Sequence, residues 1–161
     1  MKFFGIVLIF ISVSLIGFEI GNKYLSELGG IKRAEIFLKN IILCLESENL
    51  TLTEIFENCK KSGDKKTEDF IFLLFKNGMS DIEQNAAESG FCTNKSALSV
   101  LQETFFVLGK YSSENQIREI SFCRNRLNDL YAQNEVLLKS KSKLIRISGI
   151  LAGAFISILF F

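Results

Sequence analysis

The chain has no proline, no tryptophan and no histidine. Without proline, sharp helix stops are scarce, and long helices are expected. Without histidine there is no imidazole acid or base, no Ser-His or Cys-His nucleophile, and not the commonest zinc ligand. The four cysteines, at 44, 59, 92 and 123, form no Cys-x-x-Cys pair, so no zinc site is expected. The net charge of +1 gives no reason to expect nucleic acid. No glycine-rich phosphate loop is present, and Gly149-x-x-x-Gly153 is not one. Glu46 and Glu48 are two positions apart, so on a helix they face different ways and make no acid/base pair. The reading is therefore a non-enzyme with no catalytic residues, no cofactor, no metal and no evident small-molecule substrate.

What is present is greasy and placed at the ends. A length of 161 residues suits one domain, and 48% of the residues are apolar. Residues 3–18 carry no charge. With residues 19–22 they are about long enough to cross a ~30 Å hydrocarbon core as a helix. The rival is a cleaved signal peptide. Its cleavage site is poor, because Ser12-Val13-Ser14 lies inside the apolar run, so an uncleaved anchor is favoured. Residues 147–161 are short for a span but adequate if extended back to Leu144, with Arg146 reaching up to the interface. Lys139, Lys141, Lys143 and Arg146 abut the second segment, and Lys23, Lys32 and Arg33 follow the first. Positive charge collects on the cytoplasmic side. Both termini are thus expected outside, with a transmembrane helix over 1–22, a cytoplasmic helical domain over 23–143 and a second transmembrane helix over 144–161. The cysteines would then stay reduced.

This topology places Gly17 and Gly21 at the same depth as Gly149 and Gly153. Both pairs are G-x-x-x-G, a spacing that lets helix backbones approach closely. Glu19 and Arg146 fall at that depth too. A carboxylate there is costly unless it is paired or reaches the headgroups. Glu19 either pairs with Arg146 where the helices cross or marks the membrane interface.

The middle reads as all-helical. Apolar residues at 31, 34, 38, 41 or 42, and 45 form a helical stripe, set off from the anchor by Gly29-Gly30. Thr51-x-x-Glu54 and Ser80-x-x-Glu83 have the form of capping boxes. The run at 70–75 reads as a core helix rather than a buried strand, Asn77-Gly78 ends it, and Thr93 or Asn94 caps the next helix. From about Ser113 a long helix continues into the second anchor. Its seam at 120, 123, 127, 130 and 137 repeats near every 3.5, with Asn134 and Lys141 as polar members. Packing within its own bundle is favoured over a partner helix. The fold class is all-α: a helical bundle of about five to six helices flanked by N- and C-terminal transmembrane helices.

Several short features occur in an order that resembles a known family. Gly17-Phe18-Glu19 closes the first anchor, and Leu45-Glu46-Ser47-Glu48 precedes the box at 51–54. Leu108-Gly109 comes before Gln116 and Ile120, and Gly149-x-Leu151-Ala152-Gly153 opens the closing segment. Over nearly the whole chain this is similar to the stage III sporulation protein AB family of endospore-forming bacteria. The chain departs from that pattern at Thr51-Leu52-Thr53, where the family has Thr-Pro-Leu, and at Ser112, where it has an acid. The resemblance implies a platform or assembly component of a channel between mother cell and forespore, similar to the inner-membrane platform protein of type II secretion. It implies a location in the mother-cell membrane around the forespore. It implies as partners a stage III sporulation protein AA-like ATPase, other channel-complex proteins and membrane lipid. Glu46, Glu48, Glu54 and Gln116 are the expected partner contacts. The alternative is a signal-transducing membrane protein with a coiled-coil output helix.

Overall fold

The computed structural model describes residues 2–47 and 50–159. Six α-helices and one 3-10 turn follow in order, with no strand among the described residues. They are α1 Lys2–Ser47, α2 Leu52–Ser62, α3 Lys65–Asn77, the 3-10 turn Met79–Asp81, α4 Ile82–Glu88, α5 Lys95–Val107 and α6 Ser113–Leu159. The all-α class holds. The six helices include the two apolar ones, which are continuous with the first and last helices of the bundle rather than separate from them. The chain forms two compact units. Met1–Leu28 with Gln133–Phe161 make a helical hairpin, and Gly29–Ala132 make a bundle. The hairpin therefore takes in 23–28 and 133–143 beyond the expected spans.

Gly29-Gly30 does not break α1, contrary to the sequence reading. A Cβ on Gly30 would lie 3.0 Å from Cys92 Cα and 3.3 Å from the Phe91 carbonyl oxygen. Bare backbone at this point lets the loop that follows α4 press directly onto the helix. That packing offsets the roughly 1 kcal/mol that glycine costs inside a helix.

The caps explain the other helix ends. Glu54 N–H donates to Thr51 Oγ1 at 3.4 Å, and Thr51 N–H donates to the Glu54 carboxylate at 2.8 Å, so the first capping box forms. Asp64 caps α3 by accepting from Thr67 N–H at 3.0 Å, and Asn94 caps α5 by accepting from Ala97 N–H at 3.1 Å. The expected box at Ser80 does not form. The 3-10 turn occupies its place, and α4 starts after Asp81 with no side-chain cap. The fully buried Asn85 supports this turn from inside, donating to the Gly78 carbonyl at 3.2 Å and accepting from Asn77 Nδ2 at 2.8 Å. Gly78 has φ +89, which L side chains rarely adopt.

The bundle core is built around Phe37. Its ring centroid lies 5.8 Å from Phe91, 6.0 Å from Phe70, 6.2 Å from Phe105 and 6.3 Å from Phe56. Phe70 and Phe91 stack at 4.3 Å. Each such pair contributes about 0.5–1.5 kcal/mol beyond its buried area. Phe70, Ile71 and Leu74 are buried while Phe72 and Phe75 are exposed, the spacing of a helix and not of a strand. From α6, Ile120, Cys123 and Leu127 close the core, as their spacing predicts. Further along the helix, Leu137 is 58% exposed and Leu138 6%. Lys141 is likewise exposed, and Ser142 is buried in its place. A straight helix turns every 3.6 residues, so a strict 3.5 repeat walks off the buried face and the seam moves on by one position.

Candidate functional site

The hairpin closes on glycine. A Cβ on Gly17 would stand 2.8 Å from Gly149 Cα, and one on Gly149 would stand 2.8 Å from Gly17 Cα. Both atoms met are backbone, so neither can move aside. The outer glycines meet other groups. Gly21 faces the Arg146 stem, with Cγ 2.8 Å from a built Cβ, and the Ser142 carbonyl oxygen at 3.1 Å. Gly153 faces the Phe10 carbonyl oxygen and the Ser14 hydroxyl, each at 3.1 Å. The helices are thus antiparallel, and of these glycines Gly17 and Gly149 are the pair that face each other backbone to backbone. Ser14 Oγ is buried here without a hydrogen-bond partner.

Arg146 does not take Glu19 as its partner. Its Nη2 donates to Asn22 Oδ1 at 2.5 Å, and its guanidinium carbon stands 5.7 Å from the centre of the Phe18 ring. Glu19 is exposed on the same helix. One helical turn separates Glu19 from Asn22, and the amide, on the turn beside Gly21, reaches the guanidinium first.

The bundle holds polar groups that the sequence patterns did not single out. Glu35 is 5% exposed on α1 and accepts from Arg124 Nε at 2.8 Å and Lys32 Nζ at 2.9 Å. Burial of the carboxyl pushes its pKa up. The hydrogen bonds and charges of Arg124 and Lys32 outweigh this and hold it below the ordinary range. Arg33 ties α1 to two loops. Its Nε lies 2.9 Å from Asp64 Oδ2, and its Nη1 donates to the Gly90 carbonyl at 3.2 Å and to the Phe91 carbonyl. A charged residue inside an apolar stripe was the available signal for Glu35; its partner, 89 positions away, was not. All four cysteines are free thiols. Cys59, Cys92 and Cys123 are buried, and burial pushes the Cys59 thiol up to about 12.

Of the expected partner contacts, Glu46 is exposed, and Glu48 lies outside the described residues. Glu54 serves the capping box. Gln116 is 8% exposed and faces inward, where its Oε1 accepts from Gly109 N–H at 3.0 Å and its Nε2 donates to the Tyr111 carbonyl at 2.6 Å. Gly109 has φ +77, and Gln116 holds the turn it makes. A surface feature the sequence reading missed is a groove of about 640 Å³ between α5 and α6, walled by Phe106 and Phe122. These rings are 65% and 61% exposed. Both lie off the buried stripe of their helices, and that was the only sign of them.

Two helices are long and apolar enough to cross a membrane, and only 11% of the most apolar stretch of each is buried. The core helix of a soluble protein would be mostly covered. Among the described residues no group of three or more His, Cys, Asp or Glu is placed to hold a metal ion. These features are consistent with an all-helical membrane protein. The stage III sporulation protein AB family profile matches residues 2–161, nearly the whole chain, and the chain belongs to that family. No curated protein and no solved structure matches it.

Proposed function

We propose that the protein is a non-enzymatic platform of the mother cell–forespore channel complex. It would sit in the mother-cell membrane with Gly29–Ala132 in the cytoplasm and link a stage III sporulation protein AA-like ATPase to the channel. The observation that carries this reading is the family match over residues 2–161, which takes in both span-length helices and the bundle together. The clustered basic residues beside the spans support the cytoplasmic orientation. The exposed Phe106 and Phe122 suit a protein-binding surface. The output-helix alternative is disfavoured. The α6 stripe it would use, Ile120, Cys123 and Leu127, is covered by the protein's own core.

Two measurements test the proposal. The native thiols report poorly on topology because three of the four are buried. Glu57→Cys and Lys61→Cys, both exposed on α2, are the better reporters in a Cys44→Ser background. A membrane-impermeant maleimide is expected to label them only after permeabilisation. Labelling of intact cells would put the bundle outside and remove the ATPase link. The second measurement is co-purification of the ATPase with the full chain. Phe106→Ser with Phe122→Ser, or Glu46→Lys, is expected to weaken it. Undiminished recovery from either variant would remove that surface from the contact.

A further inference from the structure

The hairpin carries a second groove, of about 460 Å³, between its two helices. Its wall on α6 includes Lys139, Lys143 and Arg146, followed by Ile147 and Ile150, and its wall on α1 includes Phe18. None of the residues lining it is acidic. The cations lie four and three positions apart, so they share one helix face, and the isoleucines continue that face towards the apolar end. The groove is thus cationic at one end, where Leu25 of α1 also lines it, and wholly apolar at the other. The change falls at Arg146 and Ile147, the point where the apolar segment begins.

Arg146 is held in place by several contacts at once. Its stem packs on Gly21, its Nη2 is fixed by Asn22, and Phe18 lies beside the guanidinium. Lys143 is exposed along the same wall, and Lys139 lies 2.7 Å from Glu135 one turn away, which steadies its position. A partner for this surface needs an anionic head next to an apolar tail. It must also arrive from the side, because the groove faces outward from the hairpin surface.

We infer that the groove binds one anionic glycerophospholipid, its phosphate among Lys139, Lys143 and Arg146 and the upper part of one acyl chain along Phe18, Ile147 and Ile150. A zwitterionic lipid supplies the chain but cancels the charge. A free phosphate supplies the charge but leaves the apolar half empty. Basic pockets between membrane helices at the cytoplasmic level select anionic headgroups for this reason.

The test uses the full chain in detergent, offered equal amounts of phosphatidylglycerol and phosphatidylcholine and weighed intact by native mass spectrometry. One phosphatidylglycerol per chain is expected to survive, with phosphatidylcholine retained about tenfold less. Lys139→Gln with Lys143→Gln is expected to lower phosphatidylglycerol retention by about tenfold or more. Lys23→Gln with Lys141→Gln, exposed cations outside the groove, is expected to leave it unchanged. Ile150→Trp fills the apolar half without altering charge and is expected to lower retention as well. Circular dichroism checks that each variant keeps its helices. Equal retention of the two lipids, or equal loss from the two lysine pairs, would overturn the inference. So would full displacement by millimolar glycerol phosphate, which would make the groove a plain anion site. The inference rests on the hairpin lying in a membrane, and alkaline carbonate extraction separates the two. Release of the chain into carbonate would sink both. A chain that stays with the membrane but keeps no lipid would sink the groove alone.

Discussion

The glycines of the hairpin differ in what they face, and that decides the cost of replacing each. Gly17→Ala and Gly149→Ala put a methyl against backbone at 2.8 Å, and the helices must separate. We expect each to destabilise the full chain in detergent by about 1–3 kcal/mol, read by thermal denaturation. Gly21→Ala meets the held Arg146 stem at 2.8 Å and the Ser142 carbonyl oxygen at 3.1 Å and should destabilise as well. Gly5→Ala meets nothing within 4 Å and should stabilise by about 0.5–1 kcal/mol. Equal effects at Gly5 and Gly17 would count against the close contact. Glu35 gives a second prediction. Both it and Asp64 titrate below the ordinary carboxylate range in the folded protein. For Asp64, burial pushes up, and its bonds to Thr67 together with Arg33 outweigh that. A depressed folded value means the stabilisation is fully present above the unfolded pKa of about 4 and is lost as pH falls through the folded values. Stability should be flat from pH 7 to 5 and fall below about 4, and Glu35→Gln should flatten that fall. The glycine pairs were readable because spacing alone reveals them. The Asn22–Arg146 bond was not, because charge pairing suggested Glu19 and only the rotation of α1 selects the amide.

Among the elements, the adjacent glycines of α1 make a sharper experiment than either alone. Gly29 has only the tip of Arg33 nearby, at 3.6 Å, so Gly29→Ala removes backbone freedom without a clash. It should stabilise by about 0.5–1 kcal/mol. Gly30→Ala meets Cys92 Cα at 3.0 Å and should destabilise instead. A chain in which Gly29-Gly30 were a flexible joint would respond alike to both, and guanidinium titration of the two variants separates these cases. Most helix ends were legible, since Thr51, Asn94 and Gly78 act through local chemistry, whereas the Asp64 cap was not read. The failures were non-local. Gly29-Gly30 reads as a break until Cys92 is seen against it, and Ser80 reads as a cap until Asn85 is seen under the turn.

At the scale of the whole molecule, burial sets chemical reactivity. In the native full chain a maleimide should modify Cys44, which is half-buried, and leave Cys59, Cys92 and Cys123 unmodified until denaturant is added. Peptide mass mapping before and after unfolding checks this, and fast labelling of Cys59 would contradict the packing around Phe56 and Phe37. The overall order, two apolar ends around a helical middle, was legible from composition. The grooves were not, because each is made by residues from two helices that sequence alone cannot bring together.

The bundle core joins Phe37 near its start to Ile120, Cys123 and Leu127 near its end. This has a consequence for how the protein is made. The intervening roughly ninety residues take on the order of 5–20 s to synthesise at about 5–20 residues per second. During that interval the rings around Phe37 can gather as α2, α3 and α5 are made, while the part of the core that Ile120, Cys123 and Leu127 close stays open until α6 follows. The bundle therefore closes late, and its core is most open while the chain is still being made.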